Sequence, residues 1–98
     1  MAKFDITAKA LDDLSNIWGY TYDNWSEEQA DKYYTALTQS FTLIADNPSQ
    51  CGKSYDEIRI GLRALHVLHH MVFFLVQASG KVLIVRVLYE QMDFTRHF

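Results

Sequence analysis

Residues 69–89 read HHMVFFLVQASGKVLIVRVLY, and this stretch decides the fold. Two runs rich in β-branched and aromatic residues, His69 to Ala78 and Lys81 to Tyr89, flank Ser79-Gly80, a pair suited to a tight turn, so the stretch predicts a β-hairpin. Upstream, Leu62 to Val67 follows Gly61 and adds a third strand. Residues Ser49 to Ile60 mix Gly52, Lys53, Ser54 and Asp56 without sustained period and predict a surface loop.

Before that loop the period changes. Leu11, Leu14, Ile17, Trp18, Thr21, Tyr22 and Trp25 recur at three- and four-residue steps from Ala8 onward, which makes one apolar stripe of a helix with Lys9, Asp12, Asp13 and Asn16 opposite. Ser26 followed by Gln29 matches a capping box, with Trp25 placed to staple onto Ala30, so a second helix starts near Glu27. Its stripe runs Ala30, Tyr33, Tyr34, Leu37, Phe41, Ile44 and Ala45, and Asn47-Pro48 ends it, because proline removes a donor and restricts its predecessor. At the start, Phe4 and Ile6 alternate with Lys3, Asp5 and Thr7, the period of a short strand. The order is β-α-α-β-β-β, an α+β class whose simplest architecture is an antiparallel sheet with a helical hairpin packed on one face.

Composition narrows what such a domain can do. The 98 residues fit one domain, and 49% apolar residues supply enough core without metal or disulfide staples. Nine Lys and Arg against twelve Asp and Glu give a net charge of −3, whereas a protein living on phosphate contacts carries an excess of cations, so direct nucleic-acid binding is not expected. The single Cys51 cannot pair within the chain, and no cysteine spacing suits zinc. Met1-Ala2-Lys3-Phe4-Asp5 acquires charge before any apolar stretch, unlike a secretory signal, and the apolar runs 71–76 and 82–85 are too short to cross a bilayer. A soluble cytoplasmic protein without a membrane anchor is expected.

Few residues carry recognisable chemistry. His66, His69, His70 and His97 invite a metal, but consecutive strand residues point to opposite faces and no helical H-E-x-x-H pattern exists, so neither metal nor cofactor is expected. Gly52-Lys53-Ser54 lacks the upstream glycine of a phosphate loop. Arg59, Arg63 and Arg86 could line a basic pocket, with His70 and Tyr89 as acid–base groups, but pairing with Asp56, Glu57, Glu90 or Asp93 is the preferred reading. Asp12-Asp13 and Glu27-Glu28 diverge on their helices and read as solvated faces. The aromatics Trp18, Tyr20, Tyr22, Trp25, Tyr33 and Tyr34 crowd the helix connection. Trp18 and Tyr33 are expected in the core, and the surplus must form an exposed surface of the kind that binds another protein.

In order and spacing, Asp13-Leu14 with Ile17-Trp18, Ile44-Ala45-Asp46-Asn47-Pro48, Ile58-Arg59-Ile60-Gly61-Leu62-Arg63, His70-Met71-Val72-Phe73-Phe74, and Ile84-Val85-Arg86-Val87-Leu88 leading to Met92-Asp93 resemble the ParE toxins of the RelE/ParE superfamily. The resemblance spans nearly all of residues 1–98 as a single toxin domain. It implies the toxin half of a type II toxin–antitoxin module, associated with plasmid stabilisation and held in a hetero-oligomer with a ParD-like antitoxin. ParE-like members inhibit DNA gyrase without catalysis; RelE-like members cut messenger RNA in the ribosome with a basic cluster and a C-terminal aromatic base. The acidic balance here favours the first, and Glu90 and Gln91 stand where cutting toxins carry basic residues. Tyr89 and Gln91 also depart from the His and Arg frequent in ParE, which keeps a decayed toxin that only binds antitoxin as a third reading. Tyr22, Trp25 and Tyr34 are the expected antitoxin contacts, and Tyr89, Met92, Asp93, Arg96 and Phe98 the expected gyrase contacts.

Overall fold

A computed structural model describes residues 4–98. Strand β1 (Phe4–Ile6) leads into helix α1 (Ala8–Asn24) and helix α2 (Glu27–Asp46), followed by β2 (Lys53–Ser54), β3 (Arg63–Val67), β4 (His70–Val76), β5 (Val82–Tyr89) and a terminal 3₁₀ turn (Phe94–His97). The five strands lie in the order β1-β5-β4-β3-β2. All neighbours are antiparallel except β1, which pairs parallel to β5 with Phe4 opposite Val82 and Ile6 opposite Ile84, so the sheet is mixed rather than purely antiparallel. The reason is topological: the helical hairpin and three strands separate β1 from β5, a connection long enough for a parallel crossover.

Local chemistry sets the boundaries. Ser26 Oγ accepts the Gln29 amide at 3.0 Å and starts α2, and α2 stops at Asp46 before Asn47-Pro48. Trp25 does not staple onto α2; it stands 76% exposed. Gly80, at φ +88°, closes the β4–β5 loop, where its amide bonds to the Gln77 carbonyl at 2.8 Å. Strand β2 lies inside the expected loop. It pairs Lys53 with Ala64 because Gly52, at φ +65°, lets the chain approach β3 where a Cβ would sit 1.9 Å from the Ala64 carbonyl oxygen.

The sheet buries both faces. On one, Ala10, Leu14, Leu37, Phe41 and Ile44 of the helices meet Val72, Phe74, Val82, Ile84 and Val87. Leu11, expected in that stripe, is half exposed. On the other, Leu62, Ala64, Met71, Phe73 and Leu88 are covered by Tyr55, Ile58, Leu75 and Phe94. Phe73 is the hub of this second core, with the rings of Phe94 and Phe98 at 5.0 Å and Tyr55 at 5.4 Å, all edge-on.

Candidate functional site

Beyond Ile84 strand β5 has no strand partner on its outer side, because β1 ends at Ile6. Helix α1 replaces it. The Thr7 hydroxyl donates to the Val85 carbonyl at 2.7 Å while its oxygen accepts the Ala10 amide and caps α1. One turn later Asp13 accepts the Val87 amide at 3.0 Å and holds the Arg86 guanidinium by two bonds of 2.8 and 3.0 Å. Asp13 is therefore no solvated-face residue, and Arg86 pairs with it rather than with Asp56, Glu57, Glu90 or Asp93. The carboxylate holds the guanidinium proton more firmly still, raising its pKa. Arg86 also donates to the His97 carbonyl at 3.4 Å, tying down the chain end.

Past Asp13 the helix and the strand part, and a cleft of about 800 Å³ opens between them. Tyr20 and Trp25 form its outer wall, Ile17 and Tyr33 its inner side, and His69, His70, Tyr89 and Met92 the sheet side. The α2 residue Tyr33 joins the two halves: its hydroxyl accepts the His69 amide at 3.0 Å and lies 2.6 Å from His70 Nδ1. With one lone pair taken by that amide, the hydroxyl keeps a proton and a second lone pair, so it donates to His70 Nδ1 when the imidazole carries its proton at Nε2 and accepts from Nδ1 in the other tautomer. Burial, then the neighbouring His69, pushes the His70 pKa down, and burial raises that of Tyr33. The rings of Tyr33 and Tyr89 meet His70 edge-on at 5.4 and 5.7 Å. Behind His69, Glu90 accepts from His69 Nδ1 at 3.0 Å and from His66 Nε2 at 2.8 Å, and these imidazoles hold its carboxyl below the usual range. Leu68, at φ +56°, sits in the turn between them.

The three arginines go to three places. Arg63 donates to the Cys51 and Gly52 carbonyls at 3.0 and 3.1 Å, Arg86 is held by Asp13, and Arg59 is exposed on the loop before β3. They form no common pocket. Among the described residues no group of three or more His, Cys, Asp or Glu side chains is placed to hold a metal ion. No described helix is long and apolar enough to cross a membrane. Of the expected antitoxin contacts, Trp25 lines the cleft, whereas Tyr22 stacks on Trp18 at 5.2 Å and Tyr34 is exposed on α2. Trp18 and Tyr33 are half-buried, and Trp18 donates to Asp31 at 3.1 Å. The expected gyrase contacts divide: Tyr89 and Met92 line the cleft, Phe98 packs on Phe73, and Asp93 caps the 3₁₀ turn and pairs with the largely exposed Arg96.

This arrangement of helical hairpin and sheet has known counterparts. A family model described as the ParE toxin of the type II toxin–antitoxin system, parDE, matches residues 4–94. The chain belongs to the ParE toxin family. It is 35% identical over 96 residues to Toxin ParE1 of Mycobacterium tuberculosis, covering 98% of this chain and 97% of that one. Toxin ParE1 of Caulobacter vibrioides is 32% identical over 97 residues, covering 99% and 98%, and Toxin ParE of Escherichia coli 33% over 93 residues, covering 95% and 89%. A solved structure, the chromosomal ParDE TA system from P. aeruginosa, shares the fold with a TM-score of 0.75 at 20% identity, over 89% of this chain and 96% of that one.

In this ParE-family domain the residues that sequence reasoning missed are Asp13, Tyr33 and Glu90 in their actual roles. Each acts through a partner more than twenty positions away, so no local pattern marks it.

Proposed function

We propose that this ParE-family toxin acts in the cytoplasm by binding DNA gyrase, without catalysis, and is silenced by a ParD-like antitoxin that covers the helical hairpin and its cleft. The single observation that carries the reading is the contrast within the chain's own chemistry. Exposed aromatic side chains converge on one cleft, as binding surfaces do, while the arginines that an RNA-cutting site would gather are dispersed: Arg63 and Arg86 are held by separate partners and Arg59 lies exposed on the loop before β3. The exposed tail side chains Met92 and Arg96, with Tyr89, are the contacts assigned to gyrase.

A supercoiling assay with purified gyrase tests this. The full chain inhibits supercoiling, the antitoxin encoded beside it restores activity, and Arg96→Glu with Met92→Ala weakens inhibition about tenfold or more, as loss of interface anchors does. Uninhibited gyrase, together with ribosome-dependent cleavage of messenger RNA that Tyr89→Phe abolishes, replaces this reading with the ribonuclease one.

A further inference from the structure

The loop Ile58-Arg59-Ile60-Gly61, between β2 and β3, takes no part in the cleft, yet its backbone is bonded throughout. Tyr55 spans the base: its amide donates to the Leu62 carbonyl at 2.8 Å, and its carbonyl accepts the Ile58 and Arg59 amides at 2.9 and 3.2 Å. The Leu62 amide returns to the Arg59 carbonyl at 3.0 Å. Asp56 Oδ1 accepts the Gly61 amide at 2.9 Å, where a φ of +85° suits glycine. Beneath, Tyr55 and Ile58 pack into the second core, the Tyr55 ring 5.4 Å from that of Phe73. A loop held in this way has little conformational freedom left to lose when a partner covers it.

The tip of this frame is apolar and cationic at once. Ile60 is 89% exposed, more than any other large apolar side chain among the described residues. Beside it Arg59 is exposed, and its guanidinium engages nothing among the described residues, whereas Arg63, Arg86 and Arg96 hold carbonyls or a carboxylate. A single exposed apolar side chain is ordinary on a protein surface. A fixed one beside a free arginine is not, because arginine is enriched among the residues that dominate binding energy and a rigid frame keeps the cost of binding low. Area and continuity point to the partner. Tyr89, Met92 and Arg96 are only three side chains, and a specific interface takes about 800 Å² and some 20–30 residues from each partner. The turn that carries Arg96 is seated on this loop, with Phe94 meeting Tyr55 edge-on at 6.0 Å. We infer that the Arg59–Ile60 tip is a further anchor of the gyrase contact, Ile60 entering an apolar recess of the target and Arg59 meeting carboxylates at its rim. The inference rests on the proposed gyrase reading and adds to it a surface and the chemistry of its partner. The antitoxin is the poorer match for the tip, since the cleft assigned to it opens on the helix side of the sheet.

The test measures binding to purified gyrase and inhibition of supercoiling by the full chain. Ile60→Ser and Arg59→Glu each weaken both about tenfold or more, while Ile60→Leu, which keeps the apolar volume, stays within about twofold of the unaltered chain. Asp56→Ala, which frees the Gly61 amide, gives a smaller loss in the same direction. Lys9→Glu makes the same charge change at an exposed position on α1 and leaves potency unaltered. Circular dichroism and affinity for the proposed ParD-like antitoxin stay at the level of the unaltered chain in every variant. If Ile60→Ser and Arg59→Glu inhibit as well as the unaltered chain, the inference falls and the gyrase reading stands. An equal loss from Lys9→Glu reduces the effect to net charge and overturns the inference, and so does a parallel loss of antitoxin affinity. An unaltered chain that neither binds nor inhibits gyrase removes the gyrase reading and this anchor with it.

Discussion

Two aromatic clusters flank the same pair of strands and end in opposite states. On the far face, Tyr55, Phe94 and Phe98 close around Phe73, which is fully buried. On the helix side, Tyr20, Trp25, Tyr33 and Tyr89 surround an open cleft and leave Trp25 mostly in water. Both draw on the C-terminal segment: Phe94 and Phe98 serve the closed cluster, Met92 the open one. Aromatic content alone therefore does not mark a binding surface. Enclosure does, since rings that have neighbours all round stabilise the fold, and rings with one bare face have surface left to give a partner.

The largest effect that sharpens this contrast is expected at the closed cluster. Phe73→Ala leaves a cavity beneath three rings and costs about 3–5 kcal/mol, which chemical denaturation reads directly. An effect as small as that of a surface change would show that the far face is not a core.

Deleting Thr95 to Phe98 comes next. Read from sequence, these residues lie downstream of every element and are dispensable to the core. In the structure Phe98 sits on Phe73, and the His97 carbonyl accepts from Arg86. Loss of this cover lowers stability by about 1–2 kcal/mol, the scale for exposing part of a large apolar side chain. For that reason the proposed gyrase contact is better probed by substituting the exposed side chains Met92 and Arg96 than by truncation.

A smaller effect arises from pH at the base of the cleft. The folded pKa of His70 lies below its unfolded value, so from about pH 6.5 downward the unfolded chain takes up a proton that the folded chain resists. Stability falls with acidification across that window and levels off below the folded pKa. Glu90, whose carboxyl is held low by His69 and then His66, adds a loss in the same direction at more acidic pH. Denaturation midpoints at several pH values show the decline, and His70→Asn removes the part that begins near neutrality.

Smallest of all is the expected cost of Trp25→Ala to stability, within about 0.5 kcal/mol, as for other surface side chains. The same change is expected to weaken antitoxin binding strongly. A large loss of stability would mean that the open cluster is core after all.

The sequence carried the element order well, because periods of 2 and 3.6 are local properties that tertiary context rarely reverses. What it hid was non-local. The parallel register of β1 on β5 joins residues 78 positions apart, and two-residue β2 is too short to show a period. Asp13 lies opposite the apolar stripe on a helical wheel and so reads as solvent-facing; only the unpaired edge of β5 gives it an amide and a guanidinium to hold. The surplus of aromatics at the helix connection was legible, since six large rings exceed what a two-helix layer can bury. The partition among them was not: Trp25 lines the cleft, beside the start of β4 and the end of β5, while Tyr22 lies back on Trp18.

Hydrogen–deuterium exchange of the full chain, alone and bound to the proposed ParD-like antitoxin, tests the contrast between the two clusters most directly. Protection on binding is expected in residues 16–33 and 89–92, which border the cleft, with little change in residues 55–61 and 94–98, whose Tyr55, Ile58 and Phe94 pack on the other face of the sheet. Protection confined to 55–61 and 94–98, with the cleft segments unaltered, would contradict the assignment of the open cluster as the binding surface.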